Sequence, residues 1–326
     1  MITQFICRAI LLGVPLLYGS TGEIITEKSG HLNLGIPGIM YVGAISGVIG
    51  AFLYEGAAAG AMNGVLAVLI PFICAVVGSI LMGLIYSFLT VTLRANQNVT
   101  GLAITTFGIG LGNFFGGSLV KLTNSDLPSI ALTKTSAFFS VKLPFADSLG
   151  AVGEILFSHD FLTYLAIIIA VLASFVLNKT RVGLNLRSVG ENPATADAAG
   201  INVTKYKYLA TCAGSAIAGL GGLQYVMSYA NGVWSNNAFG DRGWMAIALV
   251  IFALWKPSFA IFGSFVFGAL CNANNYIQGL GTETQELFKM LPYVVTIVVL
   301  IITSMRKKRE HQPPASLGIS YFREDR

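Results

Sequence analysis

Nine stretches of this 326-residue chain are apolar enough, and long or nearly long enough, to cross a hydrocarbon layer: about residues 5–20, 33–53, 61–93, 100–118, 161–177, 207–227, 243–256, 258–273 and 289–305. A crossing helix needs roughly 20 apolar residues. Each of its backbone N–H and C=O groups must find a partner inside the segment, because lipid offers none. Charged residues make up only 11% of the chain against 54% apolar, where a water-soluble domain carries roughly 25% charged. No single core could hide that much apolar sequence. The sequence therefore predicts an all-α, polytopic transmembrane helix bundle of about 8–10 spans over residues 1–305, embedded in a lipid bilayer and followed by a basic tail at 306–326.

Orientation follows from where the cations fall. The connection 178–207 holds Lys179, Arg181, Arg187, Lys205 and Lys207, and Arg306, Lys307, Lys308 and Arg309 follow the last span. Lys and Arg concentrate in cytoplasmic connections, so both segments, the Lys256-Pro257 turn and the C-terminus are expected inside. The loop 119–160 is then external. A single span over 61–93 leaves Arg8 outside; a broken or re-entrant segment around Gly35, Pro37 and Gly38 would restore the parity. Arg8 inside the first apolar stretch, with no small-x-small site after it, reads as a retained helix and not a leader. The tail, with Pro313-Pro314 and charged residues at its end, reads as solvated and disordered.

Several function classes are disfavoured. The net charge of +5 comes without a long basic arm bearing aromatics, which speaks against nucleic acid. Cys7, Cys74, Cys212 and Cys271 stand far apart, as do His31, His159 and His311, so no metal or other cofactor is expected. Gly43-x3-Gly47, Gly108-x3-Gly112 and Gly112-x3-Gly116 place small residues one turn apart, as close helix packing in lipid requires. No Gly-Lys-Ser/Thr follows any of them, so the chain is not expected to hold a nucleotide. Acidic residues such as Glu23, Glu27, Asp197 and Asp241 fall near predicted ends or loops. The sequence thus predicts no buried carboxylate pair, the usual mark of an ion-coupled carrier. No nucleophile elbow is present, and no enzymatic activity is expected.

The connection 178–207 contains a short element of its own. Asn192 reads as an N-cap, Pro193 as the first helical residue, and Gly200 as a left-handed stop. A helix of under two turns is not stable alone. Its small side chains suit docking into a partner's groove better than resting on lipid, which favours bulky apolar and basic faces.

Gly190-Glu191-Asn192-Pro193 with Ala196-Asp197-Ala198-Ala199-Gly200-Ile201 resembles the cytoplasmic loop of bacterial ABC-importer permeases. The nearest of these are the nucleoside type, served by basic membrane protein lipoproteins, within the wider branched-chain amino acid and ribose permease family. Glu27 to Met40, Leu93 to Gly101 and Gly240 to Ala248 are similar to further motifs of that family. Pro37 departs from the acidic-then-glycine pattern usual there. The resemblance implies a vitamin-B12/ribose-importer-like permease fold in the bacterial cytoplasmic membrane. It also implies an ATP-binding subunit, a second permease subunit that in the family is usually a different one, and an external substrate-binding lipoprotein as partners. On that resemblance Gly190, Glu191, Asn192, Pro193, Thr195, Asp197 and Gly200 form the coupling helix that ATP-driven closure would move, and the solute would be a nucleoside, with ribose, another sugar or a branched-chain amino acid as alternatives. Asn33, Asn113, Trp234, Asn236, Asn237, Asn272, Asn274 and Asn275 lie near span ends. They could line a polar pathway for a neutral solute or serve as ordinary helix-end caps.

Overall fold

The computed structural model describes residues 2–58, 62–122, 129–141, 150–273, 276, 282–306 and 312–322. Each of the nine apolar stretches is a helix among them: Ile2–Glu27 (α1), Ile36–Ala57 (α2), Gly64–Ser87 (α3), Gln97–Leu122 (α4), Phe161–Lys179 (α7), Val203–Gln224 (α10), Arg242–Phe252 (α11), Pro257–Ala273 (α12) and Thr282–Arg306 (α13). Short helices Thr133–Phe139 (α5) and Gly150–Phe157 (α6) lie in the connection after α4, while Arg181–Glu191 (α8) and Pro193–Ala198 (α9) follow α7. Single π-helical turns extend α3 through Thr92 and α10 through Tyr229. Pro71 sits inside α3, which continues through it as one element.

Small residues decide what packs against what. α1, α2 and α10 form the centre: α1 packs on α10 and α12, and α2 on α3, α4 and α10. Gly43 lies against Gly219 and Ser79, Gly108 against the backbone of Gly38, and Gly112 against the ring of Tyr41. In lipid, where no hydrophobic drive brings helices together, such close approach supplies the packing energy. The expectation from glycine spacing is met at these positions.

The outside has the opposite character. Val65, Leu69, Ile73, Val77, Leu81, Leu84 and Phe88 are exposed at helical spacing along α3, and Ile168, Leu172 and Phe175 along α7. A water-facing surface does not carry continuous apolar faces of this size. This is a multi-pass membrane protein.

Its two ends differ. Lys28, Arg187, Glu191 and Lys256 share one end, hereafter the basic end, around a cavity of about 420 Å³. At the opposite end Arg8, Glu154, His159, Asp160, Tyr229 and Asn231 surround a cavity of about 610 Å³. Arg8 therefore belongs to the end away from Lys28, Arg187 and Lys256. The break offered around Gly35, Pro37 and Gly38 is not there: Gly35 is the N-cap and Pro37 stands in the first turn of a continuous α2. Parity is met by starting α1 at the non-basic end. The connection 123–160 contributes a strand, Ser129–Ala131 (β1), that pairs antiparallel with Val233–Ser235 (β2), setting Ile130 opposite Trp234.

Two further expectations are corrected. Helix α1 runs on to Glu27, past its predicted end, and carries Glu23 and Glu27 fully into the bundle, where their carboxyl groups meet. Glu23 accepts the N–H of Asn33 at 3.0 Å, and Glu27 accepts the indole N–H of Trp255. A buried carboxylate pair therefore exists, built by two residues one turn apart. The tail also departs from the disordered reading, because residues 312–322 fold back onto the basic end, with Pro314 and Ser316 buried.

Candidate functional site

At the basic end the α8–α9 segment is built by local chemistry. Thr180 caps α8 by accepting the N–H of Gly183 at 3.1 Å. Asn192 caps α9 by accepting the N–H of Thr195 at 3.0 Å, and Pro193 fills the first helical position. Gly200, at φ +83°, ends the helix in the conformation that glycine adopts without strain. Asn202 then caps α10 through the N–H of Lys205 at 2.8 Å. Glu191, Asn192, Thr195 and Gly200 are exposed, and Pro193 is half-buried. Ala196 alone turns inward, joining Val189 and Val203 in a small apolar cluster with Ile201, Tyr206 and Tyr321 around it. Asp197 accepts the hydroxyl of Tyr321 at 3.0 Å.

Residues 28–38, the α1–α2 connection and the first turn of α2, are where the family-like segments meet. Gly190 presses so closely on the Lys28 carbonyl that no Cβ would fit. Gly101 packs on Leu34, and Gly243 on Pro37. Gln97 accepts the N–H of Leu32 at 2.8 Å. Each of the three other motif segments thus touches the fourth. Burial pushes the Lys28 ammonium pKa below its ordinary value, with Glu191 opposing the shift. His31 is fully buried there, its Nδ1 at 2.7 Å from Thr211 Oγ1 and its Nε2 at 2.7 Å from Thr90 Oγ1. Burial first, and then the Lys207 charge, pull its pKa from 6.5 down to about 3, so the ring is neutral.

The pathway candidates separate. Asn113, Trp234, Asn236 and Asn237 come together between α4 and the segment after α10. Asn113 Nδ2 donates to Asn237 Oδ1 at 2.9 Å, Tyr41 donates to Asn113 Oδ1 at 2.6 Å, and the Asn237 N–H donates to Tyr41 Oη at 2.8 Å. The Trp234 ring packs edge-on against Tyr41, and its buried indole N–H faces Gly116 with no hydrogen-bond partner among the described residues. Asn236, Asn237 and Asp241 are exposed beside this cluster. Asn33 is elsewhere, buried in the 28–38 segment with its Oδ1 accepting the Gly35 N–H at 2.9 Å. Asn272, also buried, donates to the Phe5 carbonyl at 3.3 Å and ties α12 to α1. Asn274 and Asn275 lie outside the described residues.

Sequence reasoning passed over the aromatic column beside the amides. Arg242 lies over the rings of Tyr225 and Tyr229, at 4.5 and 5.4 Å, and donates to the Phe239 carbonyl at 2.9 Å. Tyr225 stacks on Tyr229 one turn on, and that i, i+4 tyrosine spacing was the available signal.

The model of a family described as branched-chain amino acid transport system / permease component matches residues 5–300. The chain belongs to that family. It is a transport component, not an enzyme. Over 301 residues it is 32% identical to the nucleoside ABC transporter permease protein NupC of Lactococcus lactis, covering 91% of each chain. It is 30% identical over 302 residues to the guanosine ABC transporter permease protein NupQ of Bacillus subtilis, covering 89% of each. TsgC13 of Haloferax volcanii, a permease protein named for a glucose ABC transporter, is 30% identical over 329 residues, covering 95% of this chain and 94% of its own.

Proposed function

We propose that this permease is a pore-forming subunit of an ATP-driven importer for nucleosides, with its basic end and C-terminus in the cytoplasm. The observation that carries the ATP-driven reading is α9: a capped helix of six residues standing between two spanning helices and presenting small side chains outward, those of Ala194, Thr195 and Ala198. Such an element makes no core of its own and is built to be gripped. The ATP-binding subunit grips it, and closure of that subunit drives α9 and the 28–38 segment beneath it. A second permease covers the face bearing Asn113, Asn236 and Asn237. On α4, Asn113 lies roughly 24 Å along the helix from Gln97 and roughly 14 Å short of Leu122, inside a hydrocarbon layer roughly 30 Å thick. A half-buried amide at that depth, with the exposed Asn236 and Asn237 beside it, does not rest against lipid; the group faces a partner and an aqueous route between the two. An external binding lipoprotein delivers solute to the end that holds Arg8 and Asp160.

Uncharged amides, an indole N–H without a hydrogen-bond partner among the described residues, and stacked tyrosines suit a neutral, flat, hydroxylated solute. That chemistry and the likeness to NupC and NupQ favour nucleosides. The likeness to TsgC13 supports a neutral sugar as the second reading. The test is uptake of labelled guanosine, uridine, ribose and glucose into cells expressing this permease with its neighbouring transport subunits, each solute competed against the others. Guanosine or uridine uptake that sugars do not compete supports the first reading. Uptake of glucose or ribose alone replaces it with the second, and the absence of ATP-dependent uptake of any solute overturns both.

A further inference from the structure

The tail is held at the basic end by contacts to three separate parts of the chain. The Ser316 N–H donates to the Gly190 carbonyl at 3.0 Å, and the Ser316 hydroxyl reaches the same oxygen at 2.5 Å. Gly30, at φ +77°, faces this junction, and a Cβ there would stand 2.6 Å from Ser316 Oγ. Two glycines and a serine from the α1–α2 connection, the end of α8 and the tail thus share one backbone crossing with no room for a side chain. Five residues on, the Tyr321 hydroxyl donates to Asp197 on α9 while its ring packs on the Val189–Ala196–Val203 cluster. Phe322 then lies 3.4 Å beneath the guanidinium of Arg94, in the α3–α4 connection.

We propose that residues 314–322 are a strap that fastens α9 to the connections α1–α2 and α3–α4, so that displacement of α9 is transmitted to the spanning helices instead of being absorbed by a loose loop. A six-residue helix is too short to hold itself. Its apolar anchoring amounts to three buried residues, and the strap supplies the aromatic lid over them. It makes Asp197 a positioning residue whose partner is Tyr321.

This inference rests on the transport reading only for its consequence, and the test separates the two. The full-length permease, purified with its ATP-binding subunit and second permease, is compared with a chain ending at residue 311 and with Tyr321→Phe. Amide hydrogen exchange is followed over residues 189–201. Loss of the strap should speed exchange in α9 by about tenfold or more, as local opening there no longer breaks tertiary contacts, with a smaller increase in Tyr321→Phe. ATP hydrolysis by the truncated complex should lose its dependence on solute while the subunits stay associated. Unchanged α9 exchange in the truncated chain overturns the strap, whatever the transport assays show. Faster exchange with solute-dependent hydrolysis intact overturns its role in transmission. A wild-type complex that holds no ATP-binding subunit removes the transport reading, and the exchange comparison still decides the strap.

Discussion

At the residue scale the buried polar groups of the 28–38 region set the chain's chemistry. Neutral His31 has one N–H, so it donates to one of Thr90 and Thr211 and accepts from the other. One hydroxyl keeps its bond to the preceding helical carbonyl, and the other turns its proton to the ring. The pKa near 3 against an ordinary 6.5 has a definite consequence. As pH falls below about 6.5 the unfolded chain takes up a proton that the folded chain refuses, so stability drops progressively down to about 3. In detergent, the apparent melting temperature of the wild type should decline more steeply over that window than that of His31→Gln. Equal slopes would show that His31 is not held neutral. Neither this histidine nor the Glu23–Glu27 pair was legible in the sequence. Burial there depends on where α1 ends relative to α10 and α11, which is a tertiary fact; hydropathy, by contrast, counts every carboxylate as a helix end.

Elements were far more legible. Each of the nine apolar stretches is a helix, because in lipid the backbone must close on itself and composition alone announces it. The α9 helix was readable for a different reason: Asn-Pro at its start and glycine at its end act on their immediate neighbours, so its ends are written locally even though its hold on the bundle is not. Replacing Asn192 by alanine removes the bond to the Thr195 N–H and should cost about 1 kcal/mol of local helix stability. Uptake should fall while the amount of permease in the membrane stays the same, and Asn192→Asp, which restores an acceptor, should recover most of it. Loss of protein from the membrane in Asn192→Ala would instead make the cap part of the fold's own stability. The tail escaped notice because its anchors are a backbone carbonyl, a carboxylate and a cation, none of which leaves a periodic signature.

For the whole molecule the question is which surfaces lipid covers and which a second permease covers. Large apolar side chains cover the outer faces of α3 and α7, whereas the face of α4 next to β2 offers Thr106, Gly110, Asn113 and Gly117, with open space at both glycines. Apolar side chains lose nothing against hydrocarbon, but amides lose their hydrogen bonds there. Leu102, Phe107 and Phe114 are exposed on α4 as well, so on the proposed reading it is the stripe bearing Asn113 that meets a partner and a polar route. The candidate amides sort accordingly into two groups with opposite expected phenotypes. Asn113→Leu and Asn237→Leu should lower solute uptake severalfold; each also gives up hydrogen bonds of the Asn113–Asn237–Tyr41 network, and leucine at the φ of +60° of Asn237 is strained, so a modest fall in melting temperature accompanies the loss. Asn272→Leu removes the buried bond between α12 and the Phe5 carbonyl and should lower stability by about 1–3 kcal/mol. Its uptake per folded molecule should stay near normal. Uptake and thermal unfolding measured on the same three preparations decide it: if Asn237→Leu transports normally, the α4 face is a permease contact alone and the route lies elsewhere in the bundle.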